Sequence, residues 1–523
     1  MLVLGMGIKR PWRAVGLFAF VLVALGILVA YRLRPHRRPP FELSFWYWHS
    51  PFQISPAQSR DLKTLGVTRL FVRAGTFSSD GRNMVLVIPQ KYGAGGSGFR
   101  IHQVFNFDTG VVRHFESYDL ERIAGQIAKR VNDQVQRGKQ AGLDVEGVQF
   151  DFDCPTRLLS RYAELVRLVR QQLPGRPTFS ATALMSWLGT KGVAALSRQV
   201  DFLAPQAYEG VTGNTVDTMR PVSDEQDFRR RIARADGLAC PFYVGVPAYG
   251  HAFLFDPAGK LLDVYRGLEP ADAFRHPAFN LILAEPSDRF GHPAKSPTDS
   301  VGEEIVKFRA VRPALNGQGL DDFLAYTVPT PVLLERMLRA VRETRSENCL
   351  GAIIYRMPEG DSSMTVPWRS LMEGLAGRSI PPKLKIGLES RSDAFDLIES
   401  AKPLPDAPKD LDLKIENIGG PTFLGPDALE VDVVLERPGF DEVRRRDMDS
   451  AVPGILEGGR VTRCAPDRAN VASFSRFGLG AGQSIAIGPI QLLSSKRQHI
   501  SVRWRTRDSD GFQTESGQVE FVQ

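Results

Sequence analysis

One ten-residue segment, Glu146-Gly-Val-Gln-Phe-Asp-Phe-Asp-Cys-Pro, constrains the fold more than any other part of the chain. Read as a β-strand, its side chains alternate, so Gln149, Asp151 and Asp153 share one face while Val148, Phe150 and Phe152 share the other. Such a strand needs a sheet with an apolar layer on one side and a place for carboxylates on the other. The surrounding sequence supplies the setting. Strand-like runs at Phe41–His49, Thr68–Arg73, Ile101–Phe107, Glu146–Asp153, Thr178–Leu184, Val200–Tyr208, Phe242–Tyr249 and Leu350–Met357 are mostly followed by helix-like ones. Among the helices, Ser55-Pro56 caps and starts the first, Tyr118–Gly142 carries Ile123, Ile127 and Val131 on one face, and Val332–Arg345 precedes the last strand. Strands alternating with helices imply a parallel sheet, and eight such units across residues 39–378 are the count for an α/β fold of the closed (β/α)8 TIM-like barrel type. An open doubly wound sheet is the alternative.

In the barrel the Val148, Phe150 and Phe152 face turns outward to the helices, and the polar column climbs the interior to the C-terminal strand end, where barrels carry their catalytic groups. Two carboxylates one pleat apart, roughly 6–7 Å, are costly there unless used or neutralised, and their proximity raises one pKa, which a general acid needs. The structural alternative is an acid pair hydrogen-bonded to Arg73 or Arg356 from other strand ends. Aromatic residues fall at further strand ends: Trp46 and Trp48 on the first, Trp187 after the fifth, Tyr249 on the seventh and Tyr355 on the eighth. Sugar rings stack their C–H faces on such side chains, although core packing accounts for the same residues.

Gly147 to Asp153 resembles the DGxDxDxE strand of chitinase-like glycoside hydrolases, themselves (β/α)8 barrels. The resemblance implies that Asp151 orients or stabilises the substrate and that Asp153 stands where the proton donor stands. Gln149 replaces an interior Asp, and Glu146 the Asp before the glycine. Pro205-Gln206-Ala-Tyr208 resembles a later strand end of that family, which gives Gln206 and Tyr208 as substrate contacts. Asp for Glu at 153 withdraws the acid by one methylene, about 1.5 Å, and small misplacements can cost two decades in rate. More closely, GVQFDFDCPT with YAELVRLVR, ATALMSWL and FLAPQAY resembles a bacterial family known only as a domain of unknown function, the DUF 3142 type, over residues ~40–375.

Residues 379–523 change texture to short strands between Gly, Pro and Asp turns; His499–Arg505 places Ile500, Val502 and Trp504 on one face. This reads as an all-β immunoglobulin-like sandwich. Residues between the seventh strand and Val332 read as a long irregular insert. At the other end, Ala14–Tyr31 is an uncharged apolar run of 18 residues, about 27 Å as a helix and close to one bilayer core. It reads as an uncleaved transmembrane anchor within residues 1–38, placing the chain in the inner membrane, single-pass, with a periplasmic or extracellular body.

Composition limits what the chain does. At 43% apolar and 24% charged it is neither wholesale disordered nor a polytopic membrane protein. The net charge of +7 equals the seven Lys and Arg of the first 38 residues, which hold no acid. The remainder is neutral, so no nucleic-acid footprint follows. Gly93, Gly95 and Gly98 match GxGxxG but precede a strand rather than a helix, so they read as a loop. Cys154, Cys240, Cys349 and Cys464 form no CxxC and read as core or isolated thiols, and no HExxH is present; neither a cofactor nor a metal is implied. The expectation is a membrane-anchored, envelope-facing glycoside hydrolase-like protein acting on a polysaccharide or cell-envelope glycan. Its alternative is a non-catalytic glycan-binding or scaffold protein. A weaker third option is a metal-dependent deacetylase-like site using the aspartates with His49 or His251.

Overall fold

The computed structural model describes residues 39–523 apart from positions 97, 209–212, 220–224, 266, 283–303, 314–317, 359–361, 379, 392–409, 426–427, 459, 494–498, 509–512 and 523. The segment read as an anchor lies outside them. No helix among the described residues is long and apolar enough to cross a membrane.

Eight parallel strands close on themselves. They are β1 (Glu42–Tyr47), β2 (Arg69–Ser79), β4 (Arg100–Phe107), β5 (Asp144–Asp151), β6 (Thr178–Ala183), β7 (Phe202–Pro205), β8 (Phe242–Pro247) and β14 (Cys349–Tyr355). Each pairs with the next, and β14 returns to β1, with Phe45 opposite Ile354 on one side and Leu70 on the other. This is the closed barrel rather than the open sheet. Val148, Phe150 and Phe152 pack outward with Phe107, Phe115 and Tyr162 and with the helix Leu120–Gln140, whose Ile123, Ile127 and Val131 are buried. A separate interior cluster of Trp46, Phe71, Val104, Phe202, Tyr243 and Ile353 fills the barrel. The helix Pro56–Thr64 starts as expected, with Ser55 and Gln58 forming a reciprocal capping box.

The second unit departs from expectation. The strand β3 (Met84–Val87) folds back antiparallel on the end of β2, with Thr76 opposite Val87, and does not pair with Ile101–Phe107. β4 instead runs parallel beside β2, because nearly every residue from Ile101 to Phe107 is buried, as a barrel stave requires, whereas Val85 and Val87 are exposed on the edge. The Gly-rich loop crosses from β3 to β4 where a helix usually stands. Gly95 has φ +93°, and a Cβ there would lie 2.0 Å from the Ile54 carbonyl oxygen, so the glycines serve backbone packing.

The described residues of the insert include a sheet, not only irregular chain. β9 (Ala252–Phe255), β10 (Leu261–Val264), β11 (Phe279–Ile282), β12 (Glu304–Ala310) and β13 (Phe323–Val328) form an antiparallel sheet in the order β10-β9-β13-β12-β11. Beyond it, two antiparallel sheets enclose a core that includes Leu413, Ile415, Val431, Val433, Phe474, Ile487 and Val502. Four of their strands were not anticipated: Phe440–Val443, Ser450–Glu457, Arg460–Arg463 and Val471–Arg476. Pro453, Gly454 and interspersed arginines mask their periodicity. Ile500 and Val502 enter the core as expected and Trp504 packs partly buried against it, while Arg505, of the opposite alternation, forms a buried ion pair with Glu430. The sandwich packs on the insert through Phe423, which joins the insert's apolar core, through Phe274 against Phe477, and through Arg275 Nε, 2.5 Å from Asp449 Oδ1. All four cysteines are free thiols, three of them buried.

At the N-terminal end of the barrel, Arg69 bonds Glu146, Glu42 (3.3 Å) and Tyr243 Oη (2.5 Å), and Arg100 lies 3.4 Å from Glu146. Burial opposes ionisation of Glu146, but the His102 ring, Arg69 and Arg100 outweigh it and hold the carboxyl down at about 2. An unfolded Glu titrates near 4.3, so the stabilisation is complete above that pH and is lost as pH falls toward 2. Glu146→Gln is therefore expected to cost on the order of 3 kcal/mol at neutral pH by stripping a partner from half-buried Arg69. The gap from the parent should close between about pH 5 and 2, read as melting temperature. A gap that stays constant with pH would remove the electrostatic explanation.

Candidate active site

Alternation along β5 delivers its three polar residues to different heights. Gln149 is fully buried; its Oε1 accepts from Trp46 Nε1 at 2.8 Å and its Nε2 donates to Ser180 Oγ at 3.2 Å. Two residues on, Asp151 ends the strand. Its Oδ1 accepts from Thr182 Oγ1 at 2.8 Å and from Gln206 Nε2 at 3.1 Å. Asp153 lies past the strand end, exposed to solvent and with no hydrogen bond among the described residues.

The electrostatics separate the two carboxyls. Burial and then the charge of Asp153 push Asp151 up to about 7, against the opposing hydrogen bonds from Thr182 and Gln206. Partial desolvation at the strand end also raises Asp153, although its side chain reaches solvent. Asp151 is therefore the carboxyl of the pair that is raised into the neutral range. Since both donors point at Oδ1, Oδ2 is the oxygen left to carry a proton. Neither Arg73 nor Arg356 bonds either aspartate, so the structural alternative of an arginine-neutralised pair is not what forms.

Around Asp151 the neighbouring strand ends make one polar ring. Asn106 of β4 lies opposite Asp151, and Thr76 of β2 opposite Asn106. Asn106 Oδ1 accepts from Arg73 Nε at 3.2 Å and from Thr76 Oγ1 at 3.0 Å. A register shift between Arg73 and Gly75 brings Arg73 and Thr76 together, and Arg73 Nη2 donates to Thr76 Oγ1 at 2.7 Å. Thr182 and Asn106 were not anticipated as site residues. Their signal was present: Ser180 and Thr182 are the polar alternates of an otherwise apolar strand, and Asn106 ends the same face as His102 and Val104.

An aromatic wall completes the mouth. Tyr208 stacks on Tyr355 with ring centroids 5.8 Å apart, and Tyr249 stands edge-on to both. Trp48 meets Tyr355 edge-on at 5.4 Å. Tyr249 Oη lies 2.9 Å from His251 Nε2, and burial lowers that histidine to about 4. Of the residues expected to contact substrate, Gln206, Tyr208, Trp48, Tyr249 and Tyr355 thus gather near Asp151. Three do not line the opening. Trp46 is 1% exposed inside the barrel, bonded to Gln149, which itself lies below the mouth. Trp187, also 1% exposed, packs in the outer core against Tyr162 and donates to the Cys154 carbonyl at 3.1 Å. An indole with a buried N–H partner is a core residue. His49 Nε2 lies 2.8 Å from the Met357 carbonyl, and no group of three His, Cys, Asp or Glu among the described residues is placed to hold a metal ion.

The geometry defines a (β/α)8 barrel with a partly buried carboxyl, raised to about 7, at the C-terminal end of its fourth strand, beside an aromatic wall. Residues 115–266 match the model of a domain of unknown function, DUF3142, a narrower span than the sequence resemblance suggested. The match takes in Asp151, Asp153, Gln206, Tyr208 and Tyr249 but not Trp48 or Tyr355. Among solved structures, the chain is similar to the spore cortex-lytic enzyme SleL of Bacillus cereus, at 12% identity over 65% of this chain and 74% of that one, with a TM-score of 0.40. It is similar to a chitinase of Chromobacterium violaceum, at 12% identity over 65% and 100%, with a TM-score of 0.38. The C-terminal domain of a putative chitinase of Desulfitobacterium hafniense gives 14% identity over 65% and 99%, with a TM-score of 0.41. No curated protein matches the sequence.

Proposed function

We propose that the barrel is a glycoside hydrolase-like enzyme acting on a polysaccharide at its C-terminal mouth. The observation that carries this reading is Asp151: a carboxyl at a barrel strand end, held by two donors on one oxygen and kept protonated toward pH 7. The resemblance of the strand assigned proton donation to Asp153; burial favours Asp151 instead, because a donor must hold its proton at the working pH. In the proposed step Asp151 Oδ2 gives that proton to the glycosidic oxygen as the C–O bond breaks. The Asp153 carboxylate stabilises the positive charge at the anomeric carbon, water adds there, and its released proton restores Asp151. Tyr249, Tyr355 and Trp48 offer stacking surface, with Tyr208 buried behind Tyr355, and Gln206 both orients Asp151 and stands within reach of substrate. We further propose that Ala14–Tyr31 anchors the chain in the inner membrane, with the barrel facing the envelope.

A second reading is favoured by Asp153 itself. It is exposed, and nothing among the described residues orients it, as expected of a glycan-binding protein that has lost its chemistry. Turnover by the purified full chain separates the two, on N-acetylhexosamine polymers, peptidoglycan and neutral β-glucans, with reducing ends and bound polymer both read. Cleavage that falls roughly ten- to a hundredfold in Asp153→Asn supports the enzyme, in line with a charge-stabilising group. No cleavage, with equal binding by both proteins, leaves an anchored glycan receptor.

A further inference from the structure

Arg73 is a half-buried guanidinium with no carboxylate partner among the described residues. Its Nε and Nη2 donate to neutral oxygens, on Asn106 and Thr76, and Nη1 has no acceptor. Burial disfavours its charge, and the ordinary remedy, a buried acid, is missing. The group is nevertheless held firmly. Two hydrogen bonds fix its plane, and it lies over the Trp48 ring, 5.9 Å from the centroid. Because an arginine can only donate, Asn106 must present Oδ1 to it, which leaves the Asn106 Nδ2 donors without a partner among the described residues. A cation over an indole is thus bonded to an amide that stands one strand from Asp151. Farther round the rim, Arg356 follows Tyr355, and its Nε is buried without an acceptor.

A preorganised fork with spare donors beside a sugar-stacking ring matches one chemistry. We propose that Arg73, Asn106 and Trp48 form a subsite for a sugar bearing a carboxylate, with the ring stacked on Trp48 and the carboxylate taken by Arg73 Nη1 and Asn106 Nδ2. The inference rests on the mouth being a glycan site and specifies the substrate class as anionic. Asp151, protonated below about pH 7, does not repel such a ligand from the next strand. A purely structural Arg73, propping Trp48, would leave its remaining donors idle.

The test is equilibrium binding to the full chain carrying Asp151→Asn, so that ligands stay intact. One arm uses a uronic-acid tetrasaccharide and another a muramic-acid-containing oligosaccharide, whose carboxylate is on a lactyl ether. Each is paired with its carboxyl-reduced alcohol. At least one acid is expected to bind about tenfold or more tighter than its alcohol, as a charge-assisted fork predicts. Adding Arg73→Gln should erase that preference by weakening acid binding far more than alcohol binding, an unchanged melting temperature reporting an intact fold, and Arg73→Lys should restore part of it. The inference is overturned if acids and alcohols bind alike, if neither binds, or if Arg73→Gln weakens both equally. Turnover by the parent chain judges the hydrolase reading separately. Cleavage without acid preference sinks only this inference, and acid-selective binding without cleavage sinks only the enzyme.

Discussion

Asp151→Asn is expected to lower glycan turnover by roughly two to four decades, the range for removing a positioned general acid, and to abolish the alkaline limb of the pH–rate profile. The parent needs Asp151 protonated, so its rate should fall as pH rises through about 7. The substitution is nearly isosteric, and the new amide oxygen still accepts from Thr182 and Gln206. A stability signature accompanies it. The folded-state pKa of Asp151 lies above the value of about 3.9 for an unfolded Asp, so its contribution is most favourable below that pH and is lost as pH rises through about 7. The variant should therefore melt higher than the parent at pH 8, with the difference shrinking toward pH 4. A variant that keeps its rate, or a melting difference running the opposite way with pH, would show that Asp151 does not hold the proton.

The second large effect belongs to packing. Gly147→Ala is expected to destabilise the barrel by about 3 kcal/mol or more, at the upper end for overpacking. A Cβ at Gly147 would lie 2.2 Å from His102 Cε1 and 2.6 Å from the Thr178 carbonyl oxygen. The His102 ring, 0% exposed, lies against the interior rings Phe71 and Phe202 in the space a side chain would need. Adding His102→Ala should recover only part of the loss, because Thr178 belongs to the neighbouring strand and cannot retreat without disturbing the ladder. Full recovery in the double variant, or a neutral single variant, would show that the strand spacing is looser than drawn here. Thermal melts of the three proteins decide it.

Much of this was legible before any coordinates, for one physical reason. Period-two alternation in residues 146–153 forces a choice of faces, and only a barrel interior accommodates Gln149 and Asp151 opposite Val148 and Phe150. That put Asp151 at the C-terminal end of a barrel strand, where it lies. What alternation does not carry is depth. Trp46 and Trp48 share a face two residues apart, yet one is sealed beside Gln149 and the other reaches the rim. Trp187 follows a strand in sequence but turns into the outer core, because its N–H finds the Cys154 carbonyl there. Nor does sequence show how far each aspartate is desolvated; burial raises both, and Asp151 up to about 7. The insert went unread because its strands are short and pair only with one another. The Arg73–Thr76 pairing depends on a register shift that no residue spacing announces.

The junction of sandwich and insert bears on how the chain can be cut. Phe423 and Leu424 lie downstream of residue 378 yet complete the apolar core of the insert, alongside Phe308, Leu324 and Tyr326. Ending the polypeptide after the barrel would strip that lid, orphan Arg275 from Asp449 and bare a sticky patch on an otherwise finished protein. Barrel-containing fragments for expression should therefore keep residues through the last strand, Gln513–Val522. Grafting the barrel onto another C-terminal module would call for redesign of the insert, not merely of the linker.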